Sequence, residues 1–345
     1  MKALVKYAKG EGMMELRNVD EPFAQPGQVK IKVKSAGICG SDIHIYYDRS
    51  KVNMKLPVIV GHEFSGEIVE IGPGVEGFFV GDRVVSESTF EVCGKCIQCR
   101  SGNYNICKER HNVGFYKNGA FAEYCIASAQ FIHKIANEIS YNEATILEPL
   151  ACCVNGVDYI TGIKANEVVV IMGAGTMGFL CLQLAKANGA YAIFCGTSRD
   201  KKRLELGCQL GADAIIIVDQ EEALDKINKI TEEKGADVIL ECSGAASAIE
   251  LAINTVKRGG KITQFGLSGK KIEIPYEMIA YKQINVRGVF GSTYIHWEKA
   301  IRYLQTRKIL AEKMISEVMP LEEWETAFNK IVSGEALKII LSAEI

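Results

Sequence analysis

Residues 168–178 read Val-Val-Val-Ile-Met-Gly-Ala-Gly-Thr-Met-Gly, a β-branched apolar run that passes straight into Gly173, Gly175 and Gly178. A G-x-G-x-x-G turn alone is a weak signal. After an apolar run and before a segment of helical pattern, 178–188, it becomes specific, because each glycine then has a physical reason. Gly173 allows the tight turn, Gly175 lets backbone approach a pyrophosphate, and Gly178 allows close helix–strand packing. The helix N-terminus at Thr176 and Met177 faces the phosphates.

The pattern repeats outward from this turn. Segments 191–195, 214–218, 237–241, 261–265 and 284–289 are short and β-branched, and 199–210 and 245–257 between them have helical length. Six strands alternating with helices predict a parallel sheet covered on both faces, a doubly wound α/β fold for a dinucleotide. The first 150 residues differ, with frequent Gly and Val, short strands and irregular connections around Pro57 and Pro73. They predict a mainly β domain. Past residue 290 the alternation stops, a helical stretch 293–306 follows, and strand-like 337–343 closes the chain. The expected division is 1–155, mainly β; 156–289, dinucleotide-binding; and 290–345, returning to the first domain.

A chain of 345 residues that is 48% hydrophobic has room for two cores. Its 40 basic and 42 acidic residues leave a formal charge of −2, which gives no footprint for nucleic acid. No apolar run approaches the ~18 residues of a membrane span, and Met1-Lys2-Ala3-Leu4 opens without the apolar core of a secretion signal. A soluble, cytoplasmic protein is expected. Twelve cysteines spread over this length fit a reducing compartment better than a disulfide framework. Cys125, Cys181, Cys195, Cys208 and Cys242 lie in apolar stretches and are expected in the core.

Four others cluster. Cys93, Cys96, Cys99 and Cys107 form C-x2-C-x2-C-x7-C, spacing that wraps four thiolates around one zinc ion and leaves no position open, so this site is structural. A second ligand set lies upstream, Cys39 in GICGSDIH and His62-Glu63 in GHEFSG. Thiolate, imidazole and carboxylate together are the mixed donors of a catalytic zinc that keeps a position for substrate. Each residue alone has a plain alternative, a core cysteine, a satisfied histidine or a surface acid.

The end of the second dinucleotide-domain strand bears on the cofactor. An acid there accepts the ribose 2′-OH of NAD, whereas arginine accommodates a 2′-phosphate. Here Thr197 and Ser198 occupy the acid position and Arg199 follows, with Lys201, Lys202 and Arg203 on the next helix. NADP(H) is therefore expected over NAD(H), with Thr197 and Ser198 donating hydrogen bonds and Arg199 pairing with the phosphate. Arg203 is a further candidate, its alternative being a solvated helix face.

GICGSDIH, GHEFSGEIVEIGPGV, GDRV, the cysteine lobe, GAFAEY, LEPL and the glycine turn together resemble the zinc-dependent medium-chain dehydrogenases over essentially the whole chain, nearest to their sorbitol-like polyol and threonine dehydrogenase branch. The resemblance implies a GroES-like catalytic domain, an inserted Rossmann domain, one catalytic and one structural zinc per subunit, and a homo-oligomer, a tetramer or dimer. It implies that Glu148 lies near the catalytic zinc, leaving Glu63 and Glu148 as alternative ligands. Ser41 and His44 resemble the relay that carries the substrate proton to solvent. Where sorbitol-type members carry an Arg-Tyr pair, this chain has Phe290-Gly291-Ser292-Thr293, and no arginine there matches a threonine carboxylate. The expected reaction is reversible oxidation of a secondary alcohol, a polyol or sugar derivative, to a ketone. Threonine 3-dehydrogenation is the alternative. A zinc-free reductase of the same fold would lack the metal ligands, and a non-catalytic dinucleotide-binding protein would need no open zinc site.

Overall fold

The computed structural model describes residues 1–344, and these form two compact units. One comprises Met1–Ala151, Ser292–Gln305 and residues 311 onward; the other comprises Cys152–Gly291 and Thr306–Leu310. The chain passes between the units at 151/152 and 291/292, within four residues of the expected 155/156 and 289/290. Helix Leu147–Val154 continues without a break into the π-helical Asn155–Thr161, so no loop or composition shift marks the first crossing. Thr306–Leu310 goes with the second unit, where Leu310 N–H donates to Gln183 Oε1 at 2.7 Å.

The second unit is built on a six-stranded sheet whose order in space is Ala214–Ile217, Tyr191–Gly196, Val168–Met172, Ala236–Glu241, Val256–Gln264, Asn285–Gly288, all parallel. Numbered along the chain this is 3-2-1-4-5-6, with the order reversing between the first and fourth strands. Val169, Val170 and Ile171 are wholly buried, as a strand covered on both faces requires. Helix Lys201–Gln209 buries Gly207 against Phe194 and leaves Cys208 exposed, contrary to its expected place in the core. One residue is a rotation of about 100° on a helix, which turns Cys208 away from the sheet.

The first unit holds a seven-stranded sheet in the order Ile132–Lys134, Arg83–Ser86, Glu63–Ile71, Gln28–Gly37, Ile339–Ser342, Glu317–Pro320, with Tyr124–Ser128 also paired to Gln28–Gly37. Its central pairing is antiparallel and sets Gly37 opposite Glu63, while the terminal strand sets Ile340 opposite the same Gly37. Three distant segments of chain therefore meet at one end of the sheet. Beside it, Thr89–Glu91 pairs with His111–Asn112 and brackets the cysteine lobe.

Candidate metal centres and dinucleotide site

The strand Gln28–Gly37 ends two residues before Cys39, whose backbone opens the helix Gly40–Tyr46. Asp42 Oδ2 accepts the Cys39 N–H at 2.8 Å and fixes this turn. With Gly37 paired to Glu63, the register carries Cys39 to His62 and Glu63, and one donor atom from each lies within 4.8 Å of the others. His62 and Glu63 are buried, at 5% and 1% exposure, and Cys39 is partly buried. Ser41 Oγ lies 3.4 Å from His62 Nε2. Behind the ring, His62 Nδ1 points at Asp42 Oδ1 across 3.6 Å, and neither atom has another partner. A metal-bound imidazole commonly directs its second nitrogen to a carboxylate in this way.

Electrostatics argue for a cation here. Burial pushes the Cys39 thiol up, and the Glu63 charge pushes it further. Burial would lower His62, but Asp42 and then Cys39 together outweigh it and the ring lies well above its ordinary value. Zinc reverses both tendencies, since it binds thiolate and neutral imidazole. The donor set fits that ion.

Two neighbours are absent from the sequence analysis. Lys338, 1% exposed, donates to Glu63 Oε2 and to the Ile38 carbonyl at 2.9 Å. Its pKa is raised despite the cost of burial, chiefly by the Glu63 charge. A Cβ on Gly37 would stand 2.9 Å from both Glu63 Oε2 and Lys338 Cε, so this ion pair passes over a glycine because nothing larger leaves room. Asp42 is the second, buried inside the GSDIH motif.

Glu148, on helix Leu147–Val154, is buried but stands outside the three-donor group. Burial raises its pKa; His62 and the Ser88 hydrogen bond pull it down, and Glu63 raises it. It is thus close enough to sense His62 and Glu63. His44 is exposed on the outer side of its helix.

In the lobe, the four sulfurs form a compact cluster, with Cys93–Cys107 at 3.7 Å and Cys93–Cys99 and Cys96–Cys107 at 3.9 Å. A tetrahedron of sulfurs about 2.3 Å from zinc has edges of about 3.8 Å. Backbone N–H groups of Cys96 and Lys95 lower Cys93 to about 7, readying it to bind as thiolate. Tyr104, inside the lobe, donates to both Glu87 oxygens at 2.8 and 3.0 Å, and Glu87 contacts His133, which stacks on Trp297.

The glycine turn has the shape its spacing predicts. Gly173 takes φ +111°, and a Cβ on Gly178 would stand 1.9 Å from the Gly173 carbonyl oxygen. Nothing approaches the Gly175 position. Gly175 also caps the helix Thr176–Ala187 without a side-chain hydrogen bond, which leaves N–H donors directed at this open side. A cavity of about 600 Å³ extends from Gly173 past Thr197, Asp200 and Asp219 to Ser243.

The expected phosphate donors are engaged otherwise. Thr197 Oγ1 donates to Asp200 at 2.8 Å, and Ser198 donates to Asp219 through Oγ at 2.6 Å and N–H at 2.7 Å. The strand end lacks an acid of its own, but Asp219, two residues past the next strand Ala214–Ile217, reaches it. Arg199 is exposed and close enough to Asp219 to help hold that carboxyl low, after the Ser198 hydrogen bond. Arg203 Nη1 reaches the Ala174 carbonyl of the glycine turn at 3.5 Å.

A two-unit fold with a closed four-thiolate cluster, an open mixed-donor cluster and a dinucleotide turn defines a zinc-type dehydrogenase. Residues 25–137 match the family profile described as alcohol dehydrogenase GroES-like domain, and residues 176–306 match zinc-binding dehydrogenase. Sorbitol dehydrogenase of Halalkalibacterium halodurans is 40% identical, covering 99% of each chain. L-threonine 3-dehydrogenase of Pyrococcus horikoshii is 38% identical, covering 99% of this chain and 98% of that one. A crystal structure of a zinc-binding dehydrogenase from Sinorhizobium meliloti bound to NADP superposes with a TM-score of 0.91 at 30% identity, covering 99% and 98%. The chain belongs to the zinc-dependent medium-chain alcohol dehydrogenase family and is an oxidoreductase. Among the described residues, no helix is long and apolar enough to cross a membrane.

Proposed function

We propose that this dehydrogenase oxidises a secondary alcohol, a polyol or sugar derivative, reversibly to a ketone, with NADP(H) favoured over NAD(H). The reading rests on the convergence of Cys39, His62 and Glu63 donors beside Ser41. Cys39 and His62, with Glu63 or Glu148, would hold a zinc ion, which would supply Lewis acidity toward the substrate hydroxyl. A bound nicotinamide cofactor would supply the acceptor for the carbinol hydrogen as hydride, and the hydroxyl proton would leave separately. Ser41 accepts that proton, and His44, exposed three residues on, delivers it to solvent. Gly173, Gly175, Thr176, Met177 and Gly178 hold the pyrophosphate. Arg199 and Arg203 take a 2′-phosphate, and Ser198 joins them by turning from Asp219.

The four cysteines of the lobe hold the structural zinc. The edge strand Asn285–Gly288 is exposed along its whole length, which supports association with a second copy of the chain. Free cysteines throughout support a reducing, cytoplasmic setting. Polyols, hydroxy acids and sugar phosphates assayed with both cofactors test substrate and cofactor together. Cys39→Ser should abolish turnover while nucleotide still binds; a fully active variant excludes the metal reading of Cys39.

A further inference from the structure

Glu241 ends the strand Ala236–Glu241 in register with Met172, the residue before the glycine turn. Between these two strands the order of the sheet reverses, and a dinucleotide crosses an open α/β sheet over the strand ends at such a gap. The Glu241 side chain is fully buried. Its Oε1 accepts the Ser243 N–H at 2.8 Å, the Gly244 N–H at 3.0 Å and the Ser243 hydroxyl. Its Oε2 accepts Gly244 N–H at 3.0 Å and the Gln264 amide at 2.5 Å. Acceptance at both oxygens is the pattern of an ionised carboxylate.

No lysine or arginine pairs with it among the described residues. Its hydrogen bonds hold the charge in the interior, and with no cation beside it its field is not cancelled locally. The anion is also close to the cofactor turn, since a Cβ on Gly173 would stand 3.0 Å from Ser243 Cβ. Oxidised nicotinamide carries one positive charge on its ring, and the reduced ring carries none.

We propose that Glu241 is a positioning residue that favours the oxidised cofactor electrostatically, so that the protein holds NAD(P)⁺ more tightly relative to NAD(P)H than the same turn without its charge. This rests on the dinucleotide reading of the second unit. Glu241→Gln should weaken oxidised cofactor on the order of tenfold and leave reduced cofactor within about twofold, the scale of one unit charge acting through protein. Oxidised cofactor is titrated by calorimetry and reduced cofactor by its own fluorescence. Gln264→Lys keeps the carboxylate but sets an ammonium beside it, and should move the ratio the same way; it decides the matter alone if Glu241→Gln does not fold. Equal weakening of both forms would make Glu241 a purely structural clamp, and an unchanged ratio would equally overturn the inference. If wild-type protein binds neither form, the dinucleotide reading itself has failed.

Discussion

Lys338→Met removes one charge from an enclosed pair and leaves the other in place. Lys338 and Glu63 side chains are each 1% exposed, and the ammonium also satisfies the Ile38 carbonyl. Methionine fills much of the lysine stem but leaves a buried carboxylate uncompensated and a carbonyl without its donor. Breaking a buried pair from one side costs about 3–5 kcal/mol. Replacing both partners, Lys338→Met with Glu63→Gln, removes the charges together and should recover at least about half of that. Urea unfolding followed by tryptophan fluorescence is the assay, because the two tryptophans, Trp297 and Trp324, both belong to the first unit. The signal thus follows the unit that contains the pair. Single and double variants of equal stability, or a single variant within about 1 kcal/mol of wild type, would refute the reasoning.

Cys99→Ser takes a thiolate from the closed cluster and should lower zinc content and thermal stability together; it should also shift Trp297 emission, since Trp297 stacks on His133 and the chain of contacts runs through Glu87 to Tyr104 of the lobe. Unchanged metal content and stability would sink that assignment. His44→Ala should slow alcohol oxidation most near neutral pH and recover in part with imidazole buffer, whereas an unaltered pH–rate profile returns His44 to a plain surface residue. Arg199→Ala should lower kcat/KM with NADP about ten- to a hundredfold and spare NAD, while Asp219→Asn, which removes a neighbouring negative charge, should move preference toward NADP. A preference for NAD that neither variant changes would overturn this account of the strand end. Asp82 accepts from Lys134 at 2.8 Å and from the Phe79 N–H, and despite some burial these bonds hold its carboxyl below the ordinary 3.8. A depressed carboxyl stabilises above its unfolded value and loses that contribution as pH falls through the folded one, so the stability gap to Asp82→Asn should be full at neutral pH and shrink below pH 3.8. A gap independent of pH would contradict it.

What the sequence disclosed was local. The glycine turn, the cysteine lobe and the β-branched runs each carry their signal within a few residues, because turn sterics, ligand spacing and strand period act over that range. The helix Ala223–Ile230 was passed over although Ala223, Ile227 and Ile230 recur at helical spacing, since it is only two turns long, and the 151/152 crossing escaped because it lies within a helix.

The residues around the candidate open metal centre were hidden for a different reason, which is register. Asp42 could have been suspected, as an acid three residues past Cys39 is placed to cap the helix that begins there. Lys338 offered one faint sign, a lone charge in the otherwise apolar run 337–343. A charge on the buried side of a strand must meet an opposite charge, but alternation cannot say which one. That answer comes from Gly37, which faces Glu63 on one neighbouring strand and Ile340 on the other, so that a residue near the end of the chain reaches a candidate ligand near its beginning. If Gly37 is what lets the pair meet, Gly37→Ala should act like Lys338→Met on stability although it removes no charge. An alanine tolerated there without loss would show that Lys338 and Glu63 reach each other by a path that does not depend on this glycine.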